Sequence, residues 1–160
     1  MIQMSLVDVR VEVPTNQPIV LLREDDGQRY LPIFIGQPEA TAIVYALKGM
    51  ETPRPMTHDL FKAVLDDLGA SVVQVVITEL HDGTFYAEIE LSANGTAYRI
   101  SSRPSDAIAL AVRYEDTVPI FADEAVLDEA GVLFENDEEE EQIEQFREFL
   151  DQVRPEDFAQ

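Results

Sequence analysis

The 160-residue chain contains no cysteine, which excludes disulfides and cysteine-ligated zinc sites. Lysine is almost absent: Lys48 and Lys62 are the only two, and the other nine basic residues are arginines. Histidine is equally scarce, at His58 and His81. No stretch approaches the ~18 apolar residues that a membrane-spanning helix needs. Met1 to Val13 alternates apolar with charged residues, unlike the unbroken apolar run of a signal peptide. A soluble, cytoplasmic protein with no membrane partner is expected. Also missing are a Gly-rich phosphate loop, a Gly-x-Ser-x-Gly elbow, a His-Glu-x-x-His helix and an EF-hand loop. No basic patch with interleaved aromatics is present. Phe85 and Tyr86 read as core and sheet surface more than as base-stacking platforms.

Acid, by contrast, is abundant. Asp and Glu total 32 against 11 Lys and Arg, a net charge of −21. Residues 135–160 contribute 11 acids and 2 bases, leaving 21 acids and 9 bases in residues 1–134. The acidity is therefore not confined to a tail. Such a surface repels nucleic-acid phosphates at low salt. Strong acidity with few lysines reads as adaptation to high salt, where dense counterions screen the self-repulsion.

Hydrophobic residues make up 46% of the chain, enough for the core of one ordinary domain. Val7, Val9, Val11 and Val13 alternate with Asp8, Arg10 and Glu12, predicting a strand over residues 2–13. Further strands are expected over 18–23 and 29–35, with Asp25-Asp26-Gly27 turning the chain. Pro38 and Glu39 suit the first turn of a helix, in which Ala40, Ile43, Val44 and Leu47 fall at helical spacing. Pro53 and Pro55 mark a loop. Thr57 is the expected cap of the next helix, whose apolar face is Leu60, Phe61, Val64, Leu65 and Leu68. Strands over 71–80, 84–91 and 96–101 form a second meander with an Asn94-Gly95 hairpin turn. A helix follows from Arg103-Pro104-Ser105-Asp106 to about Arg113, then a short strand (118–121) and a helical turn (124–127). Past the acidic run Glu138 to Glu141, the spacing of Ile143, Phe146, Leu150 and Val153 predicts an amphipathic helix.

The fold class expected is α+β: two antiparallel three-strand meanders, each followed by helix, plus the C-terminal amphipathic helix. Residues 1–134 would form the domain and 135–160 an acidic helix and tail. An offset of 67 aligns Leu31 with Tyr98, Ile33 with Ile100, Glu39 with Asp106 and Ala42 with Ala109. An ancient β3α duplication would produce that pattern.

Three clusters could carry chemistry: Gly36-Gln37-Pro38-Glu39-Ala40, Pro53-Arg54-Pro55-Met56-Thr57-His58-Asp59 and Arg103-Pro104-Ser105-Asp106-Ala107. Each feeds a helix N-terminus, where backbone N–H groups and the positive dipole end suit anions. Glu39, Asp59 and Asp106 could hold Mg²⁺ or Mn²⁺ for phosphodiester hydrolysis if the fold brings them together. Arg54 and Arg103 could clamp a phosphate bidentately. His58 could serve as general base or metal ligand, and a helix start disfavours its imidazolium form. The same acids, lying in first helical turns, could instead simply stabilise helix dipoles and pair with the arginines. His81 lies in a plain turn.

Leu31-Pro32-Ile33-Phe34-Ile35-Gly36 with Glu39-Ala40 resembles a signature of the bifunctional nuclease domain family. So do Arg54-Pro55-x-Thr57-His58-Asp59, Phe85-Tyr86-Ala87 and the run from Arg103-Pro104-Ser105-Asp106 to Ala111. The ordered set spans residues 1 to about 133 and reads as a haloarchaeal-type acidic member. The resemblance implies an α+β domain that tends to form homodimers, and an activity on DNA and RNA like that described for plant members. It implies no settled set of catalytic residues. Two readings follow: a metal-dependent nuclease using the residues above, or a non-catalytic regulatory or assembly module acting as a homodimer. A third places an anionic small ligand at the helix N-termini.

Overall fold

Strand periodicity and turn residues translate directly into two antiparallel meanders. The computed structural model describes residues 1–12 and 14–134. β1 (Ile2–Glu12), β2 (Gln17–Glu24) and β3 (Arg29–Phe34) form the first meander. β4 (Ala70–His81), β5 (Thr84–Ala93) and β6 (Thr96–Ser102) form the second. The Asp82-Gly83 and Asn94-Gly95 turns both run at positive φ, as tight hairpin turns with right-handed strand twist require. β7 (Ile120–Ala122) lies between the meanders, parallel to β4 and antiparallel to β1. β8 (Val132–Leu133), which the sequence pattern did not announce, pairs with β3. The sheet order is β6-β5-β4-β7-β1-β2-β3-β8. This is the expected α+β class, with both meanders fused into one sheet.

The helices are α1 (Gln37–Leu47), α2 (Thr57–Asp67), α3 (Pro104–Ala111) and α4 (Glu124–Ala130). None of the described helices is long and apolar enough to cross a membrane. Ile43 and Val44 of α1, Leu65 of α2, Ile108 and Leu110 of α3 and Leu127 of α4 join Val20, Leu31, Ile77 and Ile89 of the sheet in one core. α1 and α3 supply small residues, Ala40, Ala42, Ala107, Ala109 and Ala111, all buried. Small side chains let the two helices approach each other and the sheet closely, at the dense packing protein interiors require. The starts of β3 and β6, Arg29 and Thr96, and of α1 and α3, Gln37 and Pro104, keep the 67-residue offset.

Three details depart from the sequence pattern. A bulge in β1 between Leu6 and Asp8 interrupts the alternation. Val9 therefore enters the main core, while Val7 packs with Leu21, Tyr30 and Phe134 in a separate cluster. One extra residue reverses facing, because the side-chain period of a strand is two. In α2, Leu65 is buried, but Leu60, Val64 and Leu68 of the expected apolar face are 45–71% exposed. Thr57 is not the cap of α2. Met56 occupies that position, and the Asp59 carboxylate accepts from its backbone N–H at 3.0 Å. The C-terminal helix expected beyond Glu138 lies outside the described residues.

Four strands separate β3 from β5 in the sheet order, yet the end of β3 and the β4–β5 hairpin line one cavity together with the start of α3.

Candidate active site at three helix N-termini

The first turns of α1, α2 and α3 meet at one cleft. Its lining includes Pro38 and Glu39 from α1, Thr57 and His58 from α2, and Arg103 and Asp106 at the start of α3, around a volume of about 270 Å³. Pro38 and Pro104 are preset for a first helical turn and need no N–H partner there. Glu39, Asp59 and Asp106 all sit in these first turns, where the helix dipole favours negative charge.

Arg103 is the hub. Its Nε donates to Asp106 Oδ2 at 2.8 Å and its Nη2 to Asp106 Oδ1 at 3.2 Å. Its Nη1 donates to Glu39 Oε1 at 2.9 Å. One guanidinium thus bridges two carboxylates and stays 63% exposed. Those two carboxylates, Asp106 first, raise the Arg103 pKa above its ordinary value. His58 Nε2 lies 2.9 Å from Asp106 Oδ1, with the ring almost buried. Burial alone would push the Asp106 carboxyl up. The hydrogen bonds from Arg103 and His58 outweigh it and hold the group below the usual carboxylate value. An ionised Asp106 oxygen can only accept, so the imidazole nitrogen facing it is the donor of this hydrogen bond.

Gly36 matters here for space. Its φ of −76° is ordinary, but a Cβ at this position would collide with the Glu39 carboxylate. Glycine lets that carboxylate fold back beneath Arg103.

Of the residues singled out by sequence, Glu39, His58, Arg103 and Asp106 come together. Asp59 is engaged elsewhere. Its Oδ2 caps α2 and its Oδ1 accepts from Arg113 Nε at 2.8 Å. Arg54 is exposed in the proline loop and makes no ion pair among the described residues. His81 pairs with Asp82 in its exposed turn. Among the described residues, no group of three or more His, Asp or Glu is arranged to hold a metal ion. Glu39 and Asp106 both bond to the Arg103 guanidinium.

Arg113 is a structural centre that the sequence pattern does not mark. Only 5% of its side chain is exposed. Besides Asp59, it donates to the carbonyl oxygens of Ala109 (Nη1, 2.6 Å) and Ala42 (Nη2, 2.9 Å). It therefore ties α1, α2 and α3 together behind the cleft. The available signal was an arginine two residues beyond the apolar run Ala107 to Ala111, where a charge must find partners if it is buried.

Comparison with known proteins agrees with the sequence motifs. Residues 20–135 match the bifunctional nuclease domain. An uncharacterized protein of Mycobacterium tuberculosis is 48% identical over 98% of this chain and 97% of its own length. Bifunctional nuclease 1 of Oryza sativa subsp. indica is 32% identical over 66% of this chain. Bifunctional nuclease 1 of Arabidopsis thaliana is 31% identical over 60% of it. The aligned region amounts to about a third of each plant protein's length, 32% and 31%. A mycobacterial relative lends no support to the haloarchaeal reading of the acidic surface.

Proposed function

We propose that this chain, which belongs to the bifunctional nuclease domain family, hydrolyses DNA or RNA phosphodiesters at the cleft formed by Glu39, His58, Arg103 and Asp106, acting in the cytoplasm. The observation that carries the reading is the Asp106–His58 pair beside a solvent-facing arginine. In this scheme Asp106 fixes the imidazole tautomer. His58 Nδ1 takes a proton from water as the water oxygen attacks phosphorus; the P–O bond to the leaving sugar oxygen breaks, and that oxygen is protonated from solvent or from the imidazolium, which restores His58. The carboxylate stabilises the imidazolium that forms without itself taking the proton. Arg103 has five N–H donors, and three are used on Glu39 and Asp106. The remaining two face the charge that builds on the phosphate. Glu39 acts as a positioning residue that holds Arg103 over the cleft.

A divalent ion, Mg²⁺ or Mn²⁺, is assigned a different part from the one expected of three carboxylates. It is counter-charge for the nucleic acid, which a surface of net charge −21 otherwise repels. The test is cleavage of labelled single-stranded DNA and RNA by wild type and His58→Ala, with and without Mg²⁺, across a salt series. Removing a general base should lower the rate about 10²–10⁴-fold. Equal cleavage by both proteins would sink the proposal.

A second reading has its own support. Leu60, Val64 and Leu68 line one exposed edge of α2, and the cleft carboxylates already have partners within the chain. These features suit a non-catalytic assembly module working as a homodimer. Val64→Glu should then abolish a dimer in sedimentation equilibrium while leaving the fold intact. A wild type that sediments as a monomer counts against this reading.

A further inference from the structure

Arg103 borders two cavities. One is the cleft beside His58. The other, about 280 Å³, lies on its far side, where the end of β3 meets the β4–β5 hairpin and the start of α3. Phe34, Phe85, Gly36, Thr84 and Ser105 contribute to its lining. It differs from the cleft in chemistry. Its lining holds no carboxylate and one arginine, in a chain of net charge −21. Phe34 is 52% exposed although it lies in a strand. Phe85 is partly buried against the core, which fixes its place. The hydroxyls of Thr84 and Ser105 can each donate or accept a hydrogen bond.

A hollow of mixed polar and apolar lining that bears two aromatic rings, holds no carboxylate and shares its arginine with the proposed phosphate site has the composition of a nucleotide pocket. Bases stack on aromatic side chains regardless of sequence, while an adjacent cation tracks the backbone. A cavity of this volume falls just below the range for whole ligands and suits a single ring system. We propose that it is a base subsite. The nucleobase next to the phosphate held by Arg103 enters this hollow and stacks on Phe34 or Phe85, and Thr84 and Ser105 meet its polar edge. The proposal rests on the nuclease reading of the cleft and adds what that reading lacks, a means of gripping single-stranded substrate other than charge. Because the surface repels phosphates, stacking would supply a large share of affinity.

The experiment compares two labelled decamers by fluorescence anisotropy at one salt concentration: decathymidylate, and an abasic decamer with the same phosphates. The protein is the 160-residue chain carrying His58→Ala, so that cleavage does not intervene. Decathymidylate is expected to bind at least tenfold more tightly than the abasic decamer. Adding Phe34→Ala, or Phe85→Leu, should weaken decathymidylate about tenfold, the effect of losing one stacked base, and leave the abasic decamer unchanged. Phe34→Trp gives a readout independent of stability. The chain has no other tryptophan, so its fluorescence should be quenched by decathymidylate and not by the abasic decamer. If both decamers bind equally, and Arg103→Ala weakens both, the base subsite is wrong and the phosphate site stands. If neither decamer binds, both readings fall. Equal weakening of both decamers by Phe34→Ala also overturns the subsite, since it would mean a disturbed phosphate grip.

Discussion

Two arginines flank the same short helix and lead opposite lives. Arg103 precedes α3 and is 63% exposed, while Arg113 follows it and is 5% exposed. Both pair with carboxylates on other helices, Arg103 with Glu39 and Arg113 with Asp59. Arg103 spends its remaining bonds on one acidic side chain that also holds a histidine. Arg113 spends its own on two backbone carbonyls. A guanidinium facing water retains donors for a ligand and adds little stability, because solvent screens its ion pairs. A buried one has its donors committed, and its removal leaves polar groups unsatisfied. Exposure therefore separates the arginine to which the proposed mechanism assigns chemistry from the brace behind it.

The contrast can be broken at either end. The largest effect is expected from Arg113→Ala, which strands the carbonyls of Ala42 and Ala109 and unties three helices. It should cost about 3 kcal/mol in urea unfolding; a loss under about 1 kcal/mol would make it no brace. Arg103→Lys should do the reverse, costing under about 1 kcal/mol of stability. Cleavage should drop roughly tenfold to a hundredfold, because a point charge replaces the planar fork. Equal stability losses in the two variants would erase the distinction.

Asp59→Ala should fall between them in stability, at about 1–2 kcal/mol, through loss of the α2 cap and the Arg113 partner. The smallest effect concerns pH. The folded Asp106 carboxyl lies below its ordinary value of 3.8, set by Arg103 and His58 against the opposing pull of burial. The unfolded chain therefore takes up that proton first. The stabilisation is complete above about pH 3.8 and is lost as acid reaches the folded group. The stability gap between wild type and Asp106→Asn should accordingly narrow below that pH in urea titrations. A gap that stays constant into acid would remove Asp106 from the ion-paired cluster.

Much of this was legible in the residues. Hairpin turns, helix starts and the two meanders follow from glycine, proline and apolar spacing. Those features reflect backbone geometry over a few residues. The bulge in β1 was not legible, since Val7 and Val9 look alike in the alternating pattern and only the partner strand reveals the extra residue. In the candidate site, Glu39, His58, Arg103 and Asp106 stood out as residues at helix starts. Asp59 looked equivalent to them, and nothing local said that it turns to Arg113 instead. Phe34 gave no local signal, since Val20, Leu21 and Leu22 run just as consecutively and are all buried.

By itself, then, the sequence determined the described elements other than β8, their order and the acidic or basic character of each helix start, because short-range backbone preferences decide these. Only the tertiary structure decided which arginine serves which acid. The partners are 64 residues apart for Arg103 and Glu39 and 54 for Arg113 and Asp59. Only the tertiary structure brought Phe34 and Phe85, from strands far apart in the sheet order, to one cavity beside Arg103. Such meetings depend on the path of the whole chain and on what the core must bury, and a local pattern carries no record of either.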